Sequence, residues 1–459
     1  MKQQAKNTFW SVVYYLVTIL CGLILPREIL SHYGSEMNGL IHSITQFLSY
    51  TVLLEFGIGA VIPAALYRPL AEGNKVHISA ILASGRKVFR KIACVCIGYT
   101  LILLLLFPRL TGISSSALFV LILGLGTVIK YFEGKPEQLL IISDQKGYVV
   151  YGFSAFLLIV STICQVALIQ SGQTLVTVKL VGTAISLLQI VLIFLYVRRH
   201  YQIDRKTHYT EEPIPQKWNG IAQHVAYFIL ENTDIVLLTL FTTFREVSVY
   251  SVYFLVVSGV RRLFSSVSSS IQPKLGELKA KGSSEELNRF FASFERWIHL
   301  SSAFVFCMLG LLLVPFVQAY TNGITDADYS RPLFAVLMAA AYGIQSIRDA
   351  YDKLILASGH FKQTQKNYIV ASCLNLGISV VAVQFWGLEG VAAGTLVAMV
   401  YQLIYMAVYD TKILLKRSIW IFVRNILLDI MIVGTLVLLA YLFPLPVESW
   451  FRWILALIR

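Results

Sequence analysis

The chain has 459 residues, 57% of them hydrophobic and only 14% charged, with a formal net charge of +13. Soluble domains carry roughly 25% charged residues, so a water-exposed globular fold is excluded by the shortage of charge alone. The positive excess is not a nucleic-acid footprint. Lysines and arginines collect in alternate loops, as in 75–91 and 198–217, while the intervening loops hold single residues such as Arg109, Arg245 and Arg331. That is the positive-inside pattern of a polytopic membrane protein with a cytoplasmic N-terminus.

Thirteen apolar segments are long enough to cross a bilayer, and a fourteenth, 447–458, is short and expected at the interface. The first predicted helix, about 7–29, is expected to be interrupted near its outer end by Pro26-Arg27-Glu28. With no small-residue cleavage site after it, it reads as an uncleaved signal anchor. The second, about 39–67, carries Glu55-Phe56-Gly57-Ile58-Gly59 at membrane depth. Residues 71–91 are basic and amphipathic, an inner-surface element leading into the third helix, which ends near Pro108. The fourth, about 115–143, places Lys130, Glu133 and Glu137 on one face, with Gly134 and Pro136 expected to bend it. The fifth covers about 148–170 and the sixth about 175–198, with Lys179 near its outer end.

Residues 199–217, charged and holding Pro213 and Pro215, form the one linker, close to the midpoint. The seventh helix, about 220–243, and the eighth, about 247–272, then carry charges where lipid forbids them. Tyr227, Glu231, Asp234 and Leu238 share one helical face, and Arg261-Arg262 join Ser258, Ser265, Ser269 and Gln272 in a polar stripe. A charge in hydrocarbon costs at least about 2.5–3.5 kcal/mol, so these residues mark either a watery cavity or a buried ion pair. The ninth helix covers about 291–320, and the loop after it contains Asp326-Ala327-Asp328. In the tenth, about 333–357, Arg348 is in reach of Asp352, and Asp349 of Lys353, at i+4 spacing. Spans at about 367–385, 391–408 and 420–443 complete the set. The six cysteines lie inside apolar spans with no C-x-x-C pair, so neither disulfides nor zinc are expected.

The halves resemble each other. Ile62-Pro63 to Gly73 matches Ile271-Gln272-Pro273 to Gly282, and the 140–146 junction matches 356–362, at a spacing of about 210 residues. An even number of helices separates the copies, so they run parallel, as in a six-plus-six transporter. The expected architecture is all-α: a six-helix lobe over 1–198, a cytoplasmic linker over 199–217, a second six-helix lobe over 218–416, and extra C-terminal helices over 417–459.

Several stretches carry a family likeness: Glu55-Phe56-Gly57-Ile58-Gly59; Asn232-Thr233-Asp234 with Val247-Ser248-Val249-Tyr250-Ser251; 354–362 with Asn375; and Trp386-Gly387-Leu388-Glu389-Gly390-Val391-Ala392-Ala393-Gly394. In their order and spacing the chain resembles the Wzx-like polysaccharide and lipid-linked oligosaccharide flippases of the multidrug/oligosaccharidyl-lipid/polysaccharide (MOP) exporter superfamily. The resemblance implies two lobes around a central cavity, a bacterial plasma-membrane location, and a glycan joined by pyrophosphate to undecaprenol as substrate. It also implies that helices from Trp420 onward are similar to those that form a lipid-tail groove in some relatives, and a polysaccharide polymerase of the same pathway as a possible partner.

For an anionic pyrophosphate headgroup, Arg261 and Arg262 are the first candidates, because a guanidinium donates in a planar fork. Arg27, Lys130, Lys179 and Arg348 are the second candidates, with snorkelling or pairing as their alternative. Glu55, Glu231, Asp234 and Asp349 are candidates for a coupling ion, Na⁺ or H⁺, or for pairing with the bases. No cofactor or resident metal is expected, and a monomer is the expected state. Asp326-Ala327-Asp328 has the D-x-D form of a glycosyltransferase metal motif, but lies in a loop expected outside, away from nucleotide sugars. With no Walker, G-x-S-x-G or H-E-x-x-H run and no large outer loop, a polymerase or ligase is disfavoured and an enzyme is not expected. The other reading is a cation-coupled multidrug exporter.

Overall fold

The computed structural model describes residues 2–55, 58–113, 115–204, 221–282 and 284–443. The linker prolines, the 447–458 segment, Phe56 and Gly57 lie outside the described residues. The described residues are helical, with no strand among them. The chain divides into two compact units, Met1–Val225 and Ala226–Arg459.

The first unit opens with α1, Lys2–Ser49. The helix runs through Pro26, against the expected interruption there, and breaks at Gly34 with φ 81° and ψ 173°. Proline's fixed φ is helical and costs a helix mainly one backbone bond, whereas a positive φ ends it, and glycine takes one freely. A 3₁₀ stretch, Tyr50–Glu55, leads to α2, Ile58–Glu72. The inner-surface segment and the third span then form one rod, α3, Lys75–Thr111. Its start is capped by the Asn74 side chain, which accepts from the His77 N–H at 3.0 Å. Helix α4, Ser116–Ile129, passes through a π-turn, Lys130–Gly134, into α5, Lys135–Ser143, with Pro136 in the first turn where its missing N–H is harmless. Helices α6, Gly147–Gln170, and α7, Leu175–His200, follow. Ile81, Leu82 and Phe89 of α3 meet Leu140 and Ile141 of α5 and Val197 of α7 in one core.

The second unit contains most of α8, Ile221–Asn232, then α9, Asp234–Phe241, and the long α10, Phe244–Ala280. It continues with α11, Ser284–Tyr320, and α12, Pro332–Ala357. Helix α13, Phe361–Tyr409, is broken at Gly387 (φ 54°, ψ −123°), and α14 is Trp420–Leu442. Phe291, Tyr351, Leu354, Met406 and Phe422 bring α11, α12, α13 and α14 into one core. The halves of α13 fold back on each other across Gly387. A Cβ at Gly390 would collide with the Ala382 carbonyl, and one at Gly394 with Ser379. Gly390→Ala is therefore expected to cost roughly 1–3 kcal/mol through overpacking. An unchanged thermal unfolding midpoint in detergent would contradict that.

The repeat continues down to backbone geometry. Left-handed residues recur in pairs roughly 210 residues apart, Gly73 with Gly282, Gln145 with Gly359, and Gly172 with Gly387. Among the described residues, nine helical stretches are long and apolar enough to cross a membrane. Two of them, Ala5–Glu55 and Lys362–Leu414, contain the breaks at Gly34 and Gly387 and so hold two passes each. Bulky apolar residues such as Phe156, Phe385, Trp386 and Leu438 are exposed on these helices, where hydrocarbon rather than water is the suitable solvent. The chain is a multi-pass membrane protein.

Candidate transport site

The helix breaks at Thr233, between Asn232 at the end of α8 and Asp234 at the start of α9. Asn232 and Thr233 turn their side chains back onto the carbonyls of Phe228 and Ile229. Glu231, at the end of α8, accepts Arg261 Nη1 from α10 at 2.7 Å on one oxygen and the Gln345 amide from α12 on the other. The Arg261 guanidinium lies over the Tyr342 ring, 5.8 Å from its centroid. Arg262 lies on the exposed side of α10. Neighbours on a helix are about 100° apart, so one arginine turns inward at the cost of the other.

Arg348 is 1% exposed. The expected i+4 pairs do not form. Arg348 donates to Asp349 at 2.6 Å and to Gln402 of α13, while Asp352 accepts from Tyr368 and lies 3.7 Å from Lys353. The cause is burial: i+4 pairing suits an exposed helix face, but a sequestered guanidinium takes the acceptors its packing supplies, here from α13.

Asp234 is a different kind of carboxylate. It is 6% exposed and accepts hydroxyls, from Tyr250 at 2.8 Å and from Thr395 at 3.1 Å, with no base within salt-bridge distance among the described residues. Asn375 donates to Thr395 at 3.0 Å, and the Asn375 carbonyl oxygen is buried without a hydrogen bond.

In the first unit Glu55 accepts Lys135 Nζ at 2.9 Å and the Tyr131 hydroxyl at 2.8 Å. Lys130 is exposed at the start of the π-turn, and Arg27 and Lys179 are half-buried on α1 and α7. The structure thus joins Arg261 with Glu231, Arg348 with Asp349, and Glu55 with Lys135, a lysine that the sequence patterns did not single out. They also gave no sign of three buried pairs, Arg86–Glu137 at 2.8 Å, Arg417–Glu295 at 2.6 Å and His299–Asp429 at 2.6 Å. The available signal was acidic and histidine residues inside apolar runs. Asp328 of the D-x-D motif accepts the Ser330 N–H at 2.9 Å, closing a turn.

A groove of about 760 Å³ opens along α14 in the second unit. Phe306 and Gly310 of α11, Ile344 and Ile347 of α12, and Leu403 of α13 face Ile426, Val433 and Val437 of α14 across it. Among the described residues that line it, Asp429 and Cys307 are the ionisable side chains.

No family model matches the sequence, and no curated protein matches it. Solved structures do. The chain superposes on a structure described as lipid II flippase MurJ in an inward closed conformation, with a TM-score of 0.72 at 14% identity, covering 98% of this chain and 96% of that one. A multidrug resistance MATE family transporter of the MOP superfamily, inward-facing, gives 0.57 at 13% identity over 87% and 95% of the two chains. The eukaryotic MATE transporter AtDTX14 gives 0.59 at 12% over 89% and 95%. The fold is all-α and of the MurJ/MATE type.

Proposed function

We propose that the chain is a flippase that moves an undecaprenyl-pyrophosphate-linked oligosaccharide from the inner to the outer leaflet by alternating access, in a bacterial plasma membrane. The observation that carries this reading is the groove along α14, whose lining is almost wholly apolar and which suits a polyprenyl tail. A soluble drug needs no such groove. Arg261 is the headgroup contact we favour. It is inward-facing, its Nε is buried without a hydrogen bond, and one acceptor already orients its fork. Arg262, Arg27, Lys130 and Lys179 are secondary, and Arg348 is already committed to Asp349 and Gln402.

Filling the groove tests the reading. Gly434 lies on its wall, and a Cβ there would meet nothing within 4 Å. Gly434→Phe is therefore expected to leave folding intact and to abolish delivery of lipid-linked glycan to the outer leaflet. Full delivery by that variant would count against the groove as the tail site.

We assign the coupling ion, Na⁺ or H⁺, to Asp234, because Glu55, Glu231 and Asp349 are engaged by bases or lie beside one, whereas among the described residues Asp234 has hydroxyl donors and no base. Asp234→Asn is expected to retain the hydroxyl contacts and lose the dependence of transport on the ion gradient. A variant that keeps the dependence would move the assignment elsewhere.

A further inference from the structure

In the first unit, helix α3 carries four bases within two turns, Arg86, Lys87, Arg90 and Lys91. Two of them are matched by acids. Arg86 donates to Glu137 at 2.8 Å, and Arg90 donates to Glu133 at 2.8 Å while lying over the Phe132 ring. Lys87 and Lys91 are exposed, with no acid within salt-bridge distance among the described residues. They stand one turn apart on one face of the helix, where like charges repel. An anion between them removes that repulsion. The described lining of a cavity of about 400 Å³ at this place is the four bases and Ala83.

The depth of the lysines follows from the sequence. Between Lys91 and Arg109 the helix has no charged residue. At 1.5 Å per residue that stretch is about 27 Å long, close to the roughly 30 Å of a bilayer's hydrocarbon. Lys87 and Lys91 therefore stand at the level of the lipid phosphates, and the positive-inside pattern makes these the phosphates of the inner leaflet. The stripe that begins at the two lysines runs on through Val95, Gly98, Ile102 and Leu105. Val95, Ile102 and Leu105 are 54%, 61% and 63% exposed, and a Cβ at Gly98 would meet nothing within 4 Å. The stripe has a basic head, an apolar body and a notch at its middle.

The internal repeat shows what such a face accepts. Helices α3 and α11 each have 37 residues, and each starts just after a left-handed glycine, Gly73 or Gly282. In α11, His299 and Cys307 meet α14, through Asp429 at 2.6 Å and the Val433 carbonyl at 3.9 Å. Counted from the two glycines, their counterparts in α3 are Arg90 and Gly98. Helix α3 packs on α2, α4, α5 and the π-turn of its own unit, and the stripe stays exposed. In the second unit α14 offers the matching face an acid, Asp429, followed by apolar Val433 and Val437. A phospholipid offers an acidic phosphate followed by an acyl chain.

We propose that this face of α3 is a docking site for an anionic phospholipid of the inner leaflet, with its phosphate between Lys87 and Lys91 and an acyl chain along Val95, Gly98 and Ile102. Basic pockets on the cytoplasmic side of membrane helices suit such headgroups. The inference goes beyond the transport reading, and its test contains no transport step, so either can fail alone.

The test uses the full-length chain in nanodiscs of phosphatidylcholine with phosphatidylglycerol as a minor component. A bimane label is placed at Ile97→Cys, beside the stripe, with Cys21, Cys94, Cys164, Cys307 and Cys373 replaced by serine; Cys96 is buried. Phosphatidylglycerol brominated on its acyl chains is expected to quench the label far above its share of the lipid, and brominated phosphatidylcholine is not. In Lys87→Gln with Lys91→Gln the preference should fall about tenfold, the change expected on losing two phosphate-level charges. Arg109→Gln, at the other end of the span, should leave it unchanged. Equal quenching by the two lipids in the otherwise native chain, or a preference that survives the double variant, would overturn the site. Quenching below the random share by both lipids would show the face covered by protein and overturn it as well. Displacement of the brominated phosphatidylglycerol by an equal amount of undecaprenyl pyrophosphate would give the face to that lipid instead. If the double variant does not fold, the labelled chain at high salt decides, because screening should weaken a preference that rests on these charges.

Discussion

Arg348→Ala is expected to be lost from the membrane rather than to be an inactive protein of normal abundance. Its guanidinium is 1% exposed and satisfies both Asp349 and Gln402, which are themselves 5% and 0% exposed. Removing it strands a carboxylate on α12 and an amide on α13, at the contact between those helices. Breaking a buried pair from one side costs roughly 3–5 kcal/mol, because the remaining charge keeps its desolvation penalty without its partner. Arg348→Met with Asp349→Leu removes both charges and keeps the volume, and should recover most of that loss. The check is thermal unfolding of detergent-purified protein. A normal midpoint for Arg348→Ala would show that water or another group reaches Asp349.

Arg261 calls for a different result. Arg261→Ala also leaves an acid behind, since Glu231 then has only Gln345. Loss of transport in that variant alone would not separate a headgroup contact from a structural ion pair. The double variant Arg261→Met with Glu231→Gln does. It removes the pair as a unit, so folding should return to near the native level while transport stays about 10–100-fold down, the loss of one charged hydrogen-bonding contact to substrate. Arg261→Lys keeps charge without the planar fork and should fall between. A fully active double variant would reduce Arg261 to a structural role. Arg262→Ala should be near native, because its side chain lies on the exposed side of α10.

Much of the fold was legible in the sequence because a bilayer imposes a coarse rule. Apolar runs of about 20 residues must be helices, and their order survives into α1 through α14. The repeat was visible too, through Gly73 and Gly282, because a left-handed turn constrains residue type. Where helices bend was less legible. Pro26 looked like the break and Gly34 was, since proline in a helix costs a bond that a membrane bundle tolerates and a positive φ cannot be absorbed. The site was half legible. Charge at membrane depth marked Glu231 and Arg261, and their shared bond follows from neighbouring helices. Side-chain partners far apart in sequence were not, as Glu55 with Lys135, Arg348 with Gln402, and Asp429 with His299 show. Such pairs depend on helix rotation and depth, which apolar periodicity leaves open within a turn.

The most direct measurement is leaflet transfer by the purified full-length chain in proteoliposomes. An undecaprenyl-pyrophosphate-linked oligosaccharide, loaded into one leaflet, is followed by a membrane-impermeant glycan-cleaving enzyme. Transfer that depends on the protein, and that Gly434→Phe and the Arg261→Met/Glu231→Gln variant abolish or greatly reduce, is the predicted result. No transfer of that lipid, together with gradient-driven export of cationic dyes by the same vesicles, would contradict it.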